Sequence, residues 1–277
     1  MRPASDVSRR INAERLLLLA WVRAILLQFA HPLIAAAVAE HSSFRGSTIT
    51  AFARLRHTVD AMLSVTFASD AERDAAVQMI RTIHRRVHGA LAQGCGPFAA
   101  GTRYSAEDPT LLTWVHATLV ESMVVVYEEL VAPLSPTDRD RYCADAAELA
   151  VALGAPQHIP RSWIALRAYI NDRYASGEVI VGQQALALSA ALLSPVRGPL
   201  ARLVAPWLTL LASGLLPETV RRQYGLRWNP GRAKRFVQSM AWLRRLRRAL
   251  PRFITQWNRA RSGDCLAIRP GYSSAAR

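Results

Sequence analysis

The sequence predicts an all-α protein, a single multi-helix globular domain of about 10–12 helices. Alternation of apolar and polar residues with a period of two is scarce, and there is no Asn-Gly or Asp-Gly hairpin signal. Helix-start and helix-stop signals are frequent instead. Apolar residues make up 51% of the 277 residues, which is enough for a sizeable core in a chain of this length.

Several helix starts are marked by capping residues. Ser69 and Glu72 have the spacing of a capping box. Asp108 and Ser135 each stand directly before a proline, the residue that best tolerates the first helical position. These signals predict helices that begin at about residues 70, 109 and 136.

Glycines and prolines mark the ends of the other segments. Gly89, Gly154 and Gly225 are predicted to adopt the left-handed conformation that ends many helices. With these boundaries the predicted helices are 8–28, 31–41, 48–67, 70–92, 109–131, 136–153, 161–175, 179–193, 199–213, 217–224, 230–248 and 251–261.

The most apolar stretch, residues 16–38, has the length of a membrane span. It is interrupted by Arg23, Gln28 and the pair His31-Pro32. We therefore expect a buried core helix followed by a second helix that a proline begins, in preference to a span.

Positive charge is concentrated in the C-terminal part. The chain carries a formal net charge of +15, and from Glu218 onward fifteen Lys and Arg residues face only two acidic residues. Residues 242–257 alternate apolar residues with arginine pairs at helical spacing. This pattern suits a helix packed on the body with a solvated arginine face, or contact with an anionic membrane surface to which the apolar segment 192–217 would contribute. Nucleic-acid binding is less favoured, because no helix-turn-helix, zinc or RNP signature accompanies the charge.

The cysteines indicate a reducing compartment. Cys95, Cys143 and Cys265 are few, odd in number and far apart, and no secretory leader precedes the first helix. The predicted location is cytoplasmic, with peripheral attachment to the inner face of the membrane as the alternative. We expect the domain to span residues 1–262, with its basic C-terminal helices starting at about residue 218, and a flexible tail to follow at 263–277.

Two histidines lie four residues apart in the predicted fourth helix. At about 100° per residue, His84 falls in the middle of the apolar stripe that starts at Val77, whereas His88 lies at its edge beside Arg81 and Arg85. A buried imidazole needs a partner, which is either a carbonyl or carboxylate of the protein or a metal. The pair has no carboxylate motif beside it, so it does not by itself predict a zinc site.

The preceding predicted helix carries a polar stripe. Arg54, His57 and Thr58 lie with Ala61 about 120° away from the apolar face of that helix. Such a stripe suits a solvated face or the wall of a ligand pocket, and the spacing does not decide between them.

The helix predicted at 109–131 carries a histidine and a single central acid. His116 lies in its mostly apolar part, and Glu121 is expected to pair with an arginine, for which Arg23 is a candidate. No nucleophile elbow, phosphate loop, dinucleotide fingerprint, CxxC pair or paired ExxH carboxylates occur, so hydrolase, kinase and di-iron functions lose their usual support.

Five stretches, in this order, resemble the MpaB-type and latex-clearing-protein (rubber oxygenase) family. They are AILLQFAHPLIAAAVAEHSSF at 24–44, FARLRHTVDAMLSVTFA at 52–68, IRTIHRRVHG at 80–89, YSAEDPTLLTWVHATLVES at 104–122 and LLPETVRRQYGLRWNP at 215–230. The resemblance implies an all-helical fold around one haem b, which is used with O2 to cleave carbon–carbon double bonds of isoprenoid chains. The implied partners are therefore O2 and a hydrophobic or polyprenyl substrate.

The resemblance also implies roles for individual residues. His84 matches the iron ligand, Arg54 and Thr58 match the distal pair, and His57 stands where the family has a lysine that caps the iron. An imidazole at that place could be a second axial ligand or a distal base.

Three further residues are placed around the same cofactor. Glu40 matches a carboxylate that could act as a base near the distal side. His88 and His116 are predicted to lie around the haem, His88 at the rim beside a propionate or in solvent and His116 in a supporting position. The competing hypotheses are a non-catalytic haem- or lipid-binding helical protein and a membrane-peripheral protein with no cofactor.

Overall fold

The polypeptide folds into twelve α-helices, one short 3₁₀ helix and a two-stranded hairpin within the described residues. The computed structural model describes residues 4–41, 63–64, 66–194, 201–258 and 260, without the side chains of residues 201 and 203. The helices are α1 Asp6–Asn12, α2 Leu18–Phe29, α3 Pro32–His41, α4 Asp70–His84, α5 Pro109–Leu130, α6 Pro136–Ala152, α7 Trp163–Ala175, α8 Gln183–Leu193, α9 Ala201–Leu215, α10 Glu218–Gln223, α11 Pro230–Ala249 and α12 Arg252–Thr255, and the 3₁₀ helix is Arg15–Leu17. The all-α prediction is confirmed.

The capping signals act as the sequence predicts. Ser69 and Glu72 form a reciprocal capping box at the start of α4. The side chains of Asp108 and Ser135 accept hydrogen bonds from the first backbone N–H groups of α5 and α6. Each of these side chains satisfies donors that would otherwise remain unpaired at a helix start.

The centre of the fold is the packing of α2 against α5. Both helices are buried on most sides, and α5 carries the largest fully buried side chain, Trp114. Around this pair lie α6, α7, α8, α9 and α11, while α3 packs on α8. The core is continuous across these helices.

The apolar stretch at the N-terminal side is bent, as its proline predicts. The axis of residues 15–29 turns by 106° into α3, which Pro32 begins, and most of α3 is buried. By length and composition α5 is the one helix within the described residues that could cross a membrane alone, but 72% of its apolar window is buried inside the molecule. A helix in the core of a globular protein can have the same length and apolar composition as a membrane span.

A buried ion pair joins the central helices. Arg23 of α2 donates to both carboxylate oxygens of Glu121 on α5, and its Nη2 lies 3.1 Å from Oε1. Its Nη1 also donates to Ser122 Oγ at 2.6 Å, and its Nε donates to the carbonyl of Leu215 at 2.8 Å. Arg167 of α7 donates to the same carboxylate. The predicted pairing of Arg23 with Glu121 is confirmed.

Two predicted helices are shorter than expected, and a third is divided. The helix predicted at 8–28 breaks between α1 and the 3₁₀ helix, because Glu14 is extended and forms a β-bridge with Gln256. The same contact ends α12 at Thr255, since the N–H of Trp257 donates to the Ala13 carbonyl. The helix predicted at 251–261 is therefore cut to four residues.

The helix predicted at 70–92 ends at His84, and the prediction is wrong beyond that point. Residues His88–Ala90 form strand β1, which pairs antiparallel with β2, Arg103–Ser105. The hairpin supplies the backbone hydrogen bonds that a continued helix would have made. Gly89 belongs to this strand and lacks the expected positive φ, whereas Gly154 and Gly225 have it.

Candidate histidine corner

Two of the predicted site residues, Glu40 and His88, lie where α3 packs on the hairpin, and His84 ends the helix that leads into it. The C-terminal end of α3, which carries Glu40, packs on both strands of the hairpin. His84 is the last residue of α4 and lies four residues before His88 of β1. We call this region the histidine corner: Glu40, His41, His84, His88 and Tyr104.

His84 has the properties of a neutral nitrogen donor. Its Nδ1 atom is buried and has no hydrogen-bond partner among the described residues. Burial lowers the pKa of His84, although the negative charge of Glu107 opposes that shift. At neutral pH the imidazole is therefore uncharged, and a lone pair on a neutral ring nitrogen is what a metal requires.

His88 does not lie on a helix beside His84. It is exposed at the start of β1, where it is in register with Ser105, and its carbonyl oxygen lies 3.1 Å from His41 Nε2. The prediction that His88 lies on the same helix as His84 is thus wrong, because that helix ends at His84 and the hairpin begins at His88.

Glu40 is held by a tyrosine that the sequence argument did not identify as a site residue. The buried Tyr104 Oη donates a hydrogen bond to Glu40 Oε2. Burial, together with this hydrogen bond and the charge of Glu40, raises the pKa of Tyr104 well above its usual value. The phenol therefore keeps its proton and orients one carboxylate oxygen. The signal available in the sequence was the placement of Tyr104 in the motif YSAEDP.

The remaining predicted residue on a described helix, His116, has different surroundings. It is buried midway along α5, and its Nε2 has no hydrogen-bond partner among the described residues. Burial lowers the pKa of His116 to about 4, and the positive charge of Arg161 adds to this effect. The charge that shifts the pKa of His116 thus comes from Arg161, just before α7, and not from a residue of the histidine corner.

A further buried imidazole lies at the bend between α2 and α3. His31 packs against Phe98, with ring centroids 5.2 Å apart, and its Nε2 is 3.9 Å from Glu178 Oε2. Burial lowers its pKa to about 4; Arg173 adds to this shift and Asp108 opposes it. The carbonyl of His31 accepts the first backbone hydrogen bonds of α3. His31 Nδ1, like that of His84, is buried without a hydrogen-bond partner among the described residues, so the choice of His84 over His31 rests on the sequence resemblance.

The polar stripe predicted for the distal side lies outside the described residues. Arg54, His57 and Thr58 belong to residues 42–62, so the structure does not bear on their placement. Their assignment continues to rest on the sequence resemblance.

The corner fits a particular kind of metal cofactor. Within the described part of the chain, no three His, Cys, Asp or Glu side chains are grouped so as to hold a metal ion. A single imidazole is sufficient, however, for an iron whose other ligands come from a porphyrin. The buried, unpaired and neutral nitrogen of His84 suits that donor role.

The fold and this corner together give an all-α domain with a buried, unpaired imidazole nitrogen at the end of a helix. A sequence model of one family, described as "ER-bound oxygenase mpaB/B'/Rubber oxygenase, catalytic domain", matches residues 8–245. The chain belongs to this family, as its sequence motifs predict. Comparisons with curated proteins and with solved structures gave no significant match.

Proposed function

We propose that this protein is a haem b-dependent oxygenase that uses O2 to cleave carbon–carbon double bonds of a hydrophobic, isoprenoid-like substrate. The observation that carries the proposal is the buried Nδ1 of His84, which is without a partner among the described residues. The family's description as an oxygenase catalytic domain supports the reaction class. The words "rubber oxygenase" in that description support an isoprenoid substrate.

In this proposal His84 is the residue that ligates the cofactor. Haem b supplies the activation of O2 when it is bound, and the protein supplies the axial imidazole, polar groups and a dry environment. Because burial lowers the pKa of His84, no proton has to be removed from the ring before it binds at neutral pH.

In this proposal the other residues of the site transfer protons and orient O2 and the substrate. By the sequence resemblance, Arg54, His57 and Thr58 would face the bound O2, and His57 would either ligate the iron or act as a base. Glu40 is the candidate carboxylate base. Its Oε2 accepts the hydrogen bond from Tyr104, so Oε1 is the oxygen left to take a substrate proton.

The ligand assignment is tested by absorption spectroscopy of purified protein reconstituted with haem. We expect a Soret band in the wild type and, for His84→Ala, a change in the ligation spectrum or loss of haem. His158→Ala is the matched control, because His158 is exposed and lies outside the corner. Identical spectra for wild type and His84→Ala would contradict the assignment, and no haem uptake at all would contradict the cofactor.

Catalysis is tested separately. Haem-loaded protein is incubated with O2 and polyprenyl substrates of several chain lengths, and carbonyl fragments are sought by mass spectrometry. Aldehyde or ketone products that require both haem and O2 are expected. Haem binding without products at any chain length would favour the alternative, a non-catalytic haem- or lipid-binding protein.

A further inference from the structure

An open groove lies between α9 and α11, away from the residues of the histidine corner. Its volume is about 470 Å³. From α9 it is lined by Arg202 and Thr209, which are about two turns apart and thus on the same side of the helix, and from α11 by Arg232. Ser194, Ala205 and Pro206 complete the lining. Two guanidinium groups and two hydroxyl groups therefore share one cleft.

The cations of this groove have no acidic partner among the residues that the structure describes. Arg202 and Arg232 form no salt bridge with an acidic residue in the described part of the chain, and Arg232 Nε is buried without a partner there. Two arginines nearer the C-terminal end of α11 are paired instead. Arg244 lies 2.7 Å from Glu129, and Arg247 lies 2.7 Å from Glu14. Arg202 and Arg232 therefore differ from these arginines in having no acidic partner among the described residues.

Exposed tryptophans connect the same two helices. Trp207 of α9 and Trp242 of α11 meet edge to face with centroids 6.4 Å apart, yet they are 39% and 55% exposed. Trp207 Nε1 donates to Ser239 Oγ at 3.3 Å. Indole rings with an apolar body and a satisfied N–H are typical of the membrane–water boundary.

Both features occur on one stretch of α11. At about 100° per residue, Arg232, Ser239 and Trp242 fall within about 80° of one another around the helix. We call this surface the Trp–Arg face: Arg202, Trp207, Arg232 and Trp242.

We infer that the Trp–Arg face docks on an anionic phospholipid bilayer, with a headgroup phosphate in the groove and the two indoles in the interfacial layer. Guanidinium groups match phosphate oxygens in bidentate geometry. The fifteen Lys and Arg residues that face two acids from Glu218 onward add long-range attraction to an anionic surface. This inference goes beyond the proposed oxygenase function and does not depend on haem or on catalysis.

A bilayer suits this surface better than a nucleic acid does. Proteins that bind single-stranded nucleic acid offer the flat faces of aromatic rings to the bases. Here the two indoles pack against each other, edge to face, and do not offer parallel open faces to a base.

The inference is tested by co-sedimentation with vesicles of phosphatidylcholine, with or without 30 mole per cent phosphatidylglycerol. We expect binding to the anionic vesicles that weakens as salt is raised, and little binding to the neutral ones. The double variant Arg202→Gln/Arg232→Gln should lower partitioning by roughly 10- to 30-fold. The charge-matched control Arg141→Gln/Arg222→Gln removes two exposed arginines outside the groove and should lower partitioning less than about threefold.

Insertion of the tryptophans is measured independently by fluorescence quenching with brominated phosphatidylcholine in anionic vesicles. Quenching should be strong in the wild type and clearly weaker in Trp207→Phe/Trp242→Phe, while Trp228→Phe, which replaces the ring packed on Phe236 of α11, should leave most of the quenching in place. Equal binding to neutral and anionic vesicles, equal losses for the two double arginine variants, or preference for duplex DNA over anionic vesicles would each overturn the inference. Millimolar inorganic phosphate should not displace the vesicles, and full displacement would identify a free-phosphate site instead.

Discussion

Gly89 shows how one residue fixes the histidine corner. A Cβ atom added at Gly89 would lie 2.4 Å from Tyr104 Oη and 2.6 Å from Tyr104 Cζ, which is closer than any real contact. The two residues are directly opposite in the hairpin. Glycine is therefore required here for close packing, so that the phenol can lie across the strand and reach Glu40.

A Gly89→Ala substitution should destabilise the protein and disturb the site. Tyr104 would have to move, so its hydrogen bond to Glu40 should be lost and the free energy of unfolding should fall by about 1–3 kcal/mol, as for other overpacked positions. Urea unfolding measures the change. Gly231→Ala is the control, because the nearest atom to its added Cβ is at 3.4 Å and alanine is favourable in a helix. An equal effect of the two substitutions would contradict this explanation.

At the scale of elements, one carboxylate holds three helices together. Glu121 of α5 accepts hydrogen bonds from Arg23 of α2 and Arg167 of α7, and Arg23 also reaches the last residue of α9. Both partners of the pair Arg23–Glu121 are almost fully buried. If one of the two charges were removed, the other would be buried without a counter-charge and without water, which would destabilise the fold.

Glu121→Gln should therefore be strongly destabilising. It leaves the buried guanidinium of Arg23 without its counter-charge, and we expect a loss of about 3–5 kcal/mol in the free energy of unfolding. The measurement is the urea midpoint followed by far-UV circular dichroism. Glu218→Gln is the matched control: it breaks an exposed pair with Arg222 one turn away and should cost less than about 1 kcal/mol. A loss below 1 kcal/mol for Glu121→Gln would show that the pair is not needed.

Element boundaries were predictable where a local signal sets them and not where a distant contact does. The starts of α4, α5 and α6 follow from capping side chains in the adjacent sequence. The break after α1 and the end of α12 come from one contact between Glu14 and Gln256, which are 242 residues apart. Helical periodicity does not contain that information, because tertiary hydrogen bonds override local propensity.

At the scale of the whole molecule, buried neutral histidines make stability depend on pH. His116 has a folded pKa of about 4, lowered from 6.5 by burial first and by Arg161 second. Between pH 4 and pH 6.5 the unfolded chain therefore binds a proton at His116, and the folded chain does not. This contribution to stability is complete above about pH 6.5 and is lost as the pH falls towards 4.

His116→Gln should reduce this pH dependence. Between pH 7 and pH 4.5 the wild type should lose up to about 3 kcal/mol more of its free energy of unfolding than the variant does. His158→Gln is the control, because that side chain is exposed and its replacement should leave the profile unchanged. Urea unfolding at a series of pH values gives the comparison, and parallel profiles for all three proteins would contradict the assignment. His31, with a similar folded pKa, keeps some pH dependence in every variant.

The sequence by itself determined the helical class, the family, and the inward face on which His84 lies. Caps, prolines and apolar periodicity are local properties, so these conclusions needed no coordinates. Even the partner of Glu121 could be named, because few cations lie in apolar helices. Only the tertiary structure decided that α4 stops at His84, that His88 leaves the helix for a strand, and that Tyr104 holds Glu40. Those features depend on strand pairing and on contacts between segments far apart in the chain, which spacing along one helix cannot encode.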